Sequence, residues 1–130
     1  MILTAAQILL YMKGAGFPET VAVTMTAIAL RESGGDPSAF NGDQATGDRS
    51  YGLLQINMKS PQVAALLNEK LLHGGDEKQL LDPITNAKAG FLLWGGDNKN
   101  LEIAWYINRG IYRMRYETYL PAAQQAALGL

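Results

Sequence analysis

A long apolar stretch, Val21 to Leu30, is interrupted only by threonines and ends on a charged pair, Arg31-Glu32, before breaking at Ser33-Gly34-Gly35. Counting back from Glu32 by helical spacing gives Ile28, Met25 and Val21, so its carboxylate shares a stripe with apolar side chains. A carboxyl at a core edge is disfavoured in its charged form, and one that keeps its proton near neutral pH is a candidate general acid. The same position also fits an ordinary helix-terminal glutamate, solvated or paired with Arg31 or Arg49. Other chemistries are narrowed by composition. There is no cysteine, which excludes disulfides, thiolate zinc sites and thiol nucleophiles. His73 is the single histidine and reads as a surface or helix-end residue, with no motif around it for Ser–His–Asp catalysis. Asp36, Asp43 and Asp48 are not at calcium-loop spacing and no glutamate closes such a loop. Phosphate and dinucleotide fingerprints are absent, so neither a metal nor a cofactor is expected.

The elements that must position Glu32 are helical. Thr4 caps a helix AAQILLYMK that reaches Lys13, with Gly14 as its stop and Ala6, Leu9, Leu10 and Lys13 on one face. Pro18 suits the first turn of a second helix and Glu19 its positive start. That helix runs to about Glu32 and is apolar nearly all round, the mark of a central, buried helix. Gly34 to Ser50 is the most polar part of the chain and reads as a loop, with a short hairpin around Asn41-Gly42. Tyr51 to Asn57, YGLLQIN, reads as an extended segment or tight turn. Ser60-Pro61 opens a third helix that ends near His73-Gly74-Gly75, and Asp76 to Leu81 reads as one helical turn. Asp82-Pro83 repeats the cap-plus-proline signal for a fourth helix to Trp94, stopped by Gly95-Gly96. Asn100 to Asn108 and Tyr112 to Leu128 are helical, with Pro121 as a break or fresh start.

The chain of 130 residues suits one domain over 1–130, and 48 % hydrophobic residues supply one sizeable core. A net charge of -1 gives no basic footprint for nucleic acid. No apolar run approaches the ~20 residues of a membrane span, so no membrane insertion is expected. Met1 to Leu10 carries no positive n-region or small-residue cleavage site, so no signal peptide is read there.

The motifs carry a resemblance. RESGGDPSAFN followed by GDRSYGLLQIN resembles the lysozyme-like superfamily of peptidoglycan-cleaving enzymes, above all soluble lytic transglycosylases, goose-type lysozymes and their relatives in phage tails and virions. The shared pattern is Glu32-Ser33 at the end of a buried helix, a polar loop, then Gly52-Leu53-Leu54-Gln55-Ile56. DPITNAKAGFLLW from Asp82 is similar to the family's Asp-Pro-x-x-Asn-x-x-Ala helix, AWYINRG from Ala104 to its late Ala-Tyr-Asn-x-Gly segment, and RYETYLP from Arg115 to its terminal helix. The late segment departs from the pattern, because Ile107 separates Tyr106 from Asn108.

The resemblance implies an α+β, mostly α fold, with a helical body and a small β or irregular lobe between Gly34 and Asn57. It implies cleavage of the β-1,4 bond between N-acetylmuramic acid and N-acetylglucosamine, with Glu32 as the acid that protonates the leaving oxygen. In lytic transglycosylation the same Glu turns base and the muramoyl 6-hydroxyl closes an anhydro ring. In inverting hydrolysis a second carboxylate positions water, and Asp48, 48 − 32 = 16 residues on, is the leading candidate, ahead of Asp43 and Asp36. Asn57 stands where some goose-type enzymes place an aspartate, and its amide cannot act as a base. Substrate contacts are expected from Ser33, Tyr51, Gln55, Asn57, Tyr106 and Asn108, with helix-end bonding for Ser33, a buried backbone tie for Gln55 and core packing for the tyrosines as the ordinary alternatives. Arg49 is read as solvated or bound to a substrate carboxylate, and Trp94 and Trp105 as core. The expected partner is the glycan strand of peptidoglycan. A virion or phage-tail location, with other tail proteins as partners, is the implied setting on the bacterial wall. The rival expectation is a catalytically silent module that keeps the fold and binds the wall.

Overall fold

The computed structural model describes residues 1–105 and 116–129. Its helices are α1 (Ala5–Ala15), α2 (Glu19–Ser33), α3 (Pro61–Lys70), α4 (Pro83–Trp94), α5 (Lys99–Trp105) and α6 (Leu120–Ala127), with 3-10 turns at Glu77–Leu81 and Tyr116–Tyr119. Between α2 and α3 lies an antiparallel sheet of β1 (Phe40–Asp43), β2 (Asp48–Tyr51) and β3 (Ile56–Asn57), in that order. This is the expected α+β arrangement, a helical body carrying a small β lobe. Among the described residues, no helix is long and apolar enough to cross a membrane.

Helix α2 is the axis of the body. Ala22, Met25, Thr26, Ala27, Ile28 and Ala29 are all buried, and α1 and α6 pack against it. The one polar group in that set is satisfied locally, since the Thr26 hydroxyl donates to the Ala22 carbonyl at 2.8 Å. Fully burying a side chain such as Met25 or Ile28 is worth about 1.5–3 kcal/mol. The middle of the helix therefore sits deep, and its two ends reach the surface.

Local chemistry sets most boundaries. Thr4 and Gln7 form a reciprocal capping box on α1. The Asp82 carboxylate accepts from the Thr85 N–H, Pro83 opens α4, and Gly95 closes it in the left-handed conformation, as the sequence foretold. Helix α1 runs two residues past the expected Lys13, because Gly16 takes the left-handed C-cap. Its core face is Ile8, Leu9 and Met12, whereas Leu10, grouped with Leu9 on one face from the sequence, is exposed. Helix α3 stops at Lys70, short of the expected glycines, and the Glu77–Leu81 turn follows an Asp76 cap. The hairpin exists, but Asn41-Gly42 lies within β1. The turn is Gln44 to Gly47, where the Asp43 carboxylate accepts the Ala45 N–H and the Asp43 carbonyl accepts the Gly47 N–H.

Candidate functional site

Helix α2 delivers Glu32 to the surface one residue before its end. Gly34, at φ 63°, terminates the helix and donates its N–H to the Leu30 carbonyl. The Ser33 hydroxyl donates to the Ala29 carbonyl at 3.0 Å and accepts the Gly35 N–H at 3.2 Å, so it is engaged in finishing the helix. The Glu32 side chain is 22 % exposed, and its Oε1 accepts from Arg31 Nη2 at 2.9 Å. The same Nη2 donates to the backbone carbonyl of Trp105.

Trp105 connects Glu32 to the β lobe. It is buried at the end of α5, and its indole N–H donates to the Leu54 carbonyl at 2.7 Å. Leu54 precedes Gln55, which holds a left-handed backbone at φ 51°. The Gln55 amide donates to the Ala39 and Gly52 carbonyls at 3.1 and 3.0 Å, and its oxygen accepts from the Asn41 amide at 2.6 Å. Gln55 is thus the tie that closes the turn of the YGLLQIN segment. It also borders a cleft of about 300 Å³, together with Asn57, Ser60, Asn100, Ile103 and Trp105. Every described residue lining that cleft is uncharged.

The turn is held from below by a residue the sequence reading did not single out. Asn86, fully buried in α4, accepts the Leu54 N–H at 2.9 Å and donates to the carbonyls of Tyr51 and Leu80, each at 2.8 Å. Gly52, at φ 73°, passes so close that a Cβ there would lie 2.4 Å from the Leu80 carbonyl oxygen and 2.5 Å from the Asn86 amide nitrogen. The available signal was an asparagine on the face of α4 otherwise made of Ala87, Ala89 and Gly90, where a buried amide needs partners.

Asp48 opens β2 with a side chain 46 % exposed. The Asn57 amide donates to it at 3.2 Å and, with the Thr46 hydroxyl, holds its carboxyl below the usual carboxylate range. Asp48 lines a second concavity on the hairpin, shared with Phe40, Asp43 and Arg49, while Asn57 stands between it and the cleft. Asn57 is otherwise a backbone anchor, its oxygen accepting the Arg49 and Lys59 N–H groups. Asp36 and Asp43 act as turn residues, accepting from Ser38 and Ala45 respectively.

Tyr51 is placed differently from the expectation that it lines the cleft. It is buried, its ring packs on Phe40 at 4.9 Å, and its hydroxyl donates to Glu77 Oε1 at 2.6 Å. Burial, and then the Glu77 carboxylate, push this phenol up to about 12. Arg49 is exposed, as a solvated arginine would be, but paired. It grips Glu77 with Nε to Oε1 at 2.8 Å and Nη2 to Oε2 at 3.3 Å, and donates to the Met58 carbonyl. Glu77, also missed at the sequence level, therefore clamps β2 to the 3-10 turn. Trp105 is core as expected, whereas Trp94 is half-buried against Phe17 and Phe91 and donates to Asn98. His73 is exposed at the loop after α3. Tyr106 and Asn108 lie outside the described residues.

Glu32, Arg31, Trp105 and the Gln55 turn thus form one connected path from the helical body to the β lobe beside an uncharged cleft. A family model described as a lysozyme-like domain matches residues 10–102, a span that includes Glu32, Asp48, Gln55, Asn57 and Asn86. None of the curated proteins matches the chain.

Proposed function

The chain belongs to the lysozyme-like domain family, and from that membership we propose that it is a peptidoglycan-cleaving glycosidase with Glu32 as its general acid. The observation that carries this reading is the seat of Glu32. It is the acid at the end of a buried helix, partly exposed, and linked through Arg31 and Trp105 to the Gln55 turn at the cleft. A cleft wall of amides and apolar side chains (Gln55, Asn57, Asn100, Val63, Ile103) suits N-acetylated sugars, whose acetamido groups offer a donor, an acceptor and a methyl.

Lytic transglycosylation is the favoured course. Glu32 gives its proton to the glycosidic oxygen as the bond to the anomeric carbon breaks. It then takes the proton of the muramoyl 6-hydroxyl as that oxygen attacks the same carbon and closes the anhydro ring. One carboxyl serves both steps. Support comes from Asp48, the leading candidate for a second carboxylate, which lines the hairpin concavity and not the cleft that Gln55 borders. Hydrolysis is the second reading, favoured by one contact: Asn57 borders the cleft and donates to Asp48, so a water-activating carboxylate is one side chain away.

Replacing Glu32 by Gln tests the common core of both readings. Loss of a positioned acid costs about 10²–10⁴-fold in rate, read as release of soluble fragments from purified peptidoglycan. A folded Glu32→Gln protein that works at the wild-type rate would overturn it.

A further inference from the structure

Arg31 is adjacent in sequence to Glu32, yet neighbouring residues on a helix point about 100° apart and do not face each other. Their contact therefore needs a cause outside the helix. That cause is Trp105, 74 residues on, whose carbonyl holds the same Nη2 that reaches Glu32 Oε1. The Arg31 side chain is only 6 % exposed, and its guanidinium is charged at every working pH. Its Nε and Nη1 groups are buried with no partner among the described residues. A permanent charge kept in such a place, bridging one carboxylate oxygen and one carbonyl, is a costly feature for stability alone. On the Glu32 side, only Oε1 is engaged among the described residues.

We infer that Arg31 is a positioning residue that fixes which oxygen of Glu32 carries the catalytic proton. This rests on the reading of Glu32 as the general acid. The guanidinium occupies Oε1 in both protonation states, because a carbonyl oxygen and a carboxylate oxygen both accept its N–H. The proton is thereby confined to Oε2, which gives it to the glycosidic oxygen and later takes one from the attacking hydroxyl. Nη2, anchored on the Trp105 carbonyl, also denies Glu32 the free rotation of an exposed glutamate.

Two variants test this on purified peptidoglycan, with thermal unfolding recorded for each. Arg31→Gln removes the charge, and Arg31→Lys keeps the charge but not the rigid guanidinium that sets where Nη2 lies between Trp105 and Glu32. Misplacement of a reacting group by about 1 Å costs about 10²-fold. The expected result is a loss of that order in turnover for Arg31→Gln, a smaller loss for Arg31→Lys, and half-saturation little changed in either. A purely structural role would instead lower the folded fraction or shift half-saturation, and that pattern overturns the inference. So does wild-type turnover in a folded Arg31→Lys, which decides the matter alone if Arg31→Gln does not fold. A wild type inactive on every wall preparation overturns the reading of Glu32 and this inference with it, whereas an active wild type with unimpaired Arg31 variants overturns the inference only.

Discussion

The side-chain oxygen of Asn86 accepts the N–H of Leu54 at 2.9 Å, in a part of the molecule closed to water. Its amide nitrogen serves two further carbonyls, so removing one side chain orphans three buried backbone groups. Asn86→Ala is expected to cost about 3–5 kcal/mol, given about 1–3 kcal/mol for each group left unpaired. Chemical denaturation measures it. A cost under about 1 kcal/mol would mean that water replaces the amide.

Gly52 and Gly34 both have positive φ, but only one is crowded. A Cβ at Gly34 meets nothing within 4 Å, so Gly34→Ala is expected to cost about 1–2 kcal/mol of backbone strain. At Gly52 the Leu80 carbonyl and the Asn86 amide stand in the way, and Gly52→Ala is expected to cost at least about 3 kcal/mol. Equal costs in parallel unfolding curves would refute the close packing of this turn.

The Glu77 clamp sets a pH dependence on both sides. Arg49, and then the Tyr51 hydroxyl, hold the Glu77 carboxyl below its ordinary 4.5. A depressed acid stabilises the fold fully above 4.5, and that contribution fades as pH falls from there toward the folded value. Glu77→Gln should therefore lie closest to wild type in stability in acid, with the gap widening above 4.5. Tyr51 works in the opposite sense. Its phenol is raised from 10.0 to about 12, so its contribution is present below 10.0 and is lost as pH climbs to about 12. Alkaline absorbance titration of wild type should show a tyrosinate step near 12 that Tyr51→Phe lacks.

Asp48 separates the two reaction courses. If one carboxyl does the chemistry, Asp48→Asn loses only an exposed, hydrogen-bonded charge, and turnover should stay within about fivefold of wild type. A loss comparable to that of Glu32→Gln would make Asp48 the water-activating base.

Signals written in neighbouring residues were legible before the structure. Asp82-Pro83 and Gly95 bound α4 because a cap, a fixed φ and a left-handed stop act over a few residues. The lobe between two helical parts, and Glu32 at the end of a buried helix, were legible for the same reason. The hairpin turn was misplaced because Asn41-Gly42 satisfies the usual turn chemistry, whereas in the structure Gly42 pairs with Arg49 across the β1–β2 ladder. The grouping of Leu9 with Leu10 on one face did not mark the core side of α1, because the helix is apolar on several faces and which is buried depends on where α2 and α4 lie. The roles of Tyr51, Arg49 and Glu77 depend on contacts 26 and 28 residues apart, and that of Arg31 on one 74 apart. No local pattern encodes such pairings.

The most direct test of Glu32-driven cleavage is mass spectrometry of the fragments released from purified peptidoglycan by wild type and by Glu32→Gln in parallel. Expected are muropeptides ending in 1,6-anhydro-muramic acid from the wild type and none from the variant. Reducing ends that carry added water would contradict the transglycosylase course. The same products from Glu32→Gln, or no release by the wild type, would contradict the central role given to Glu32.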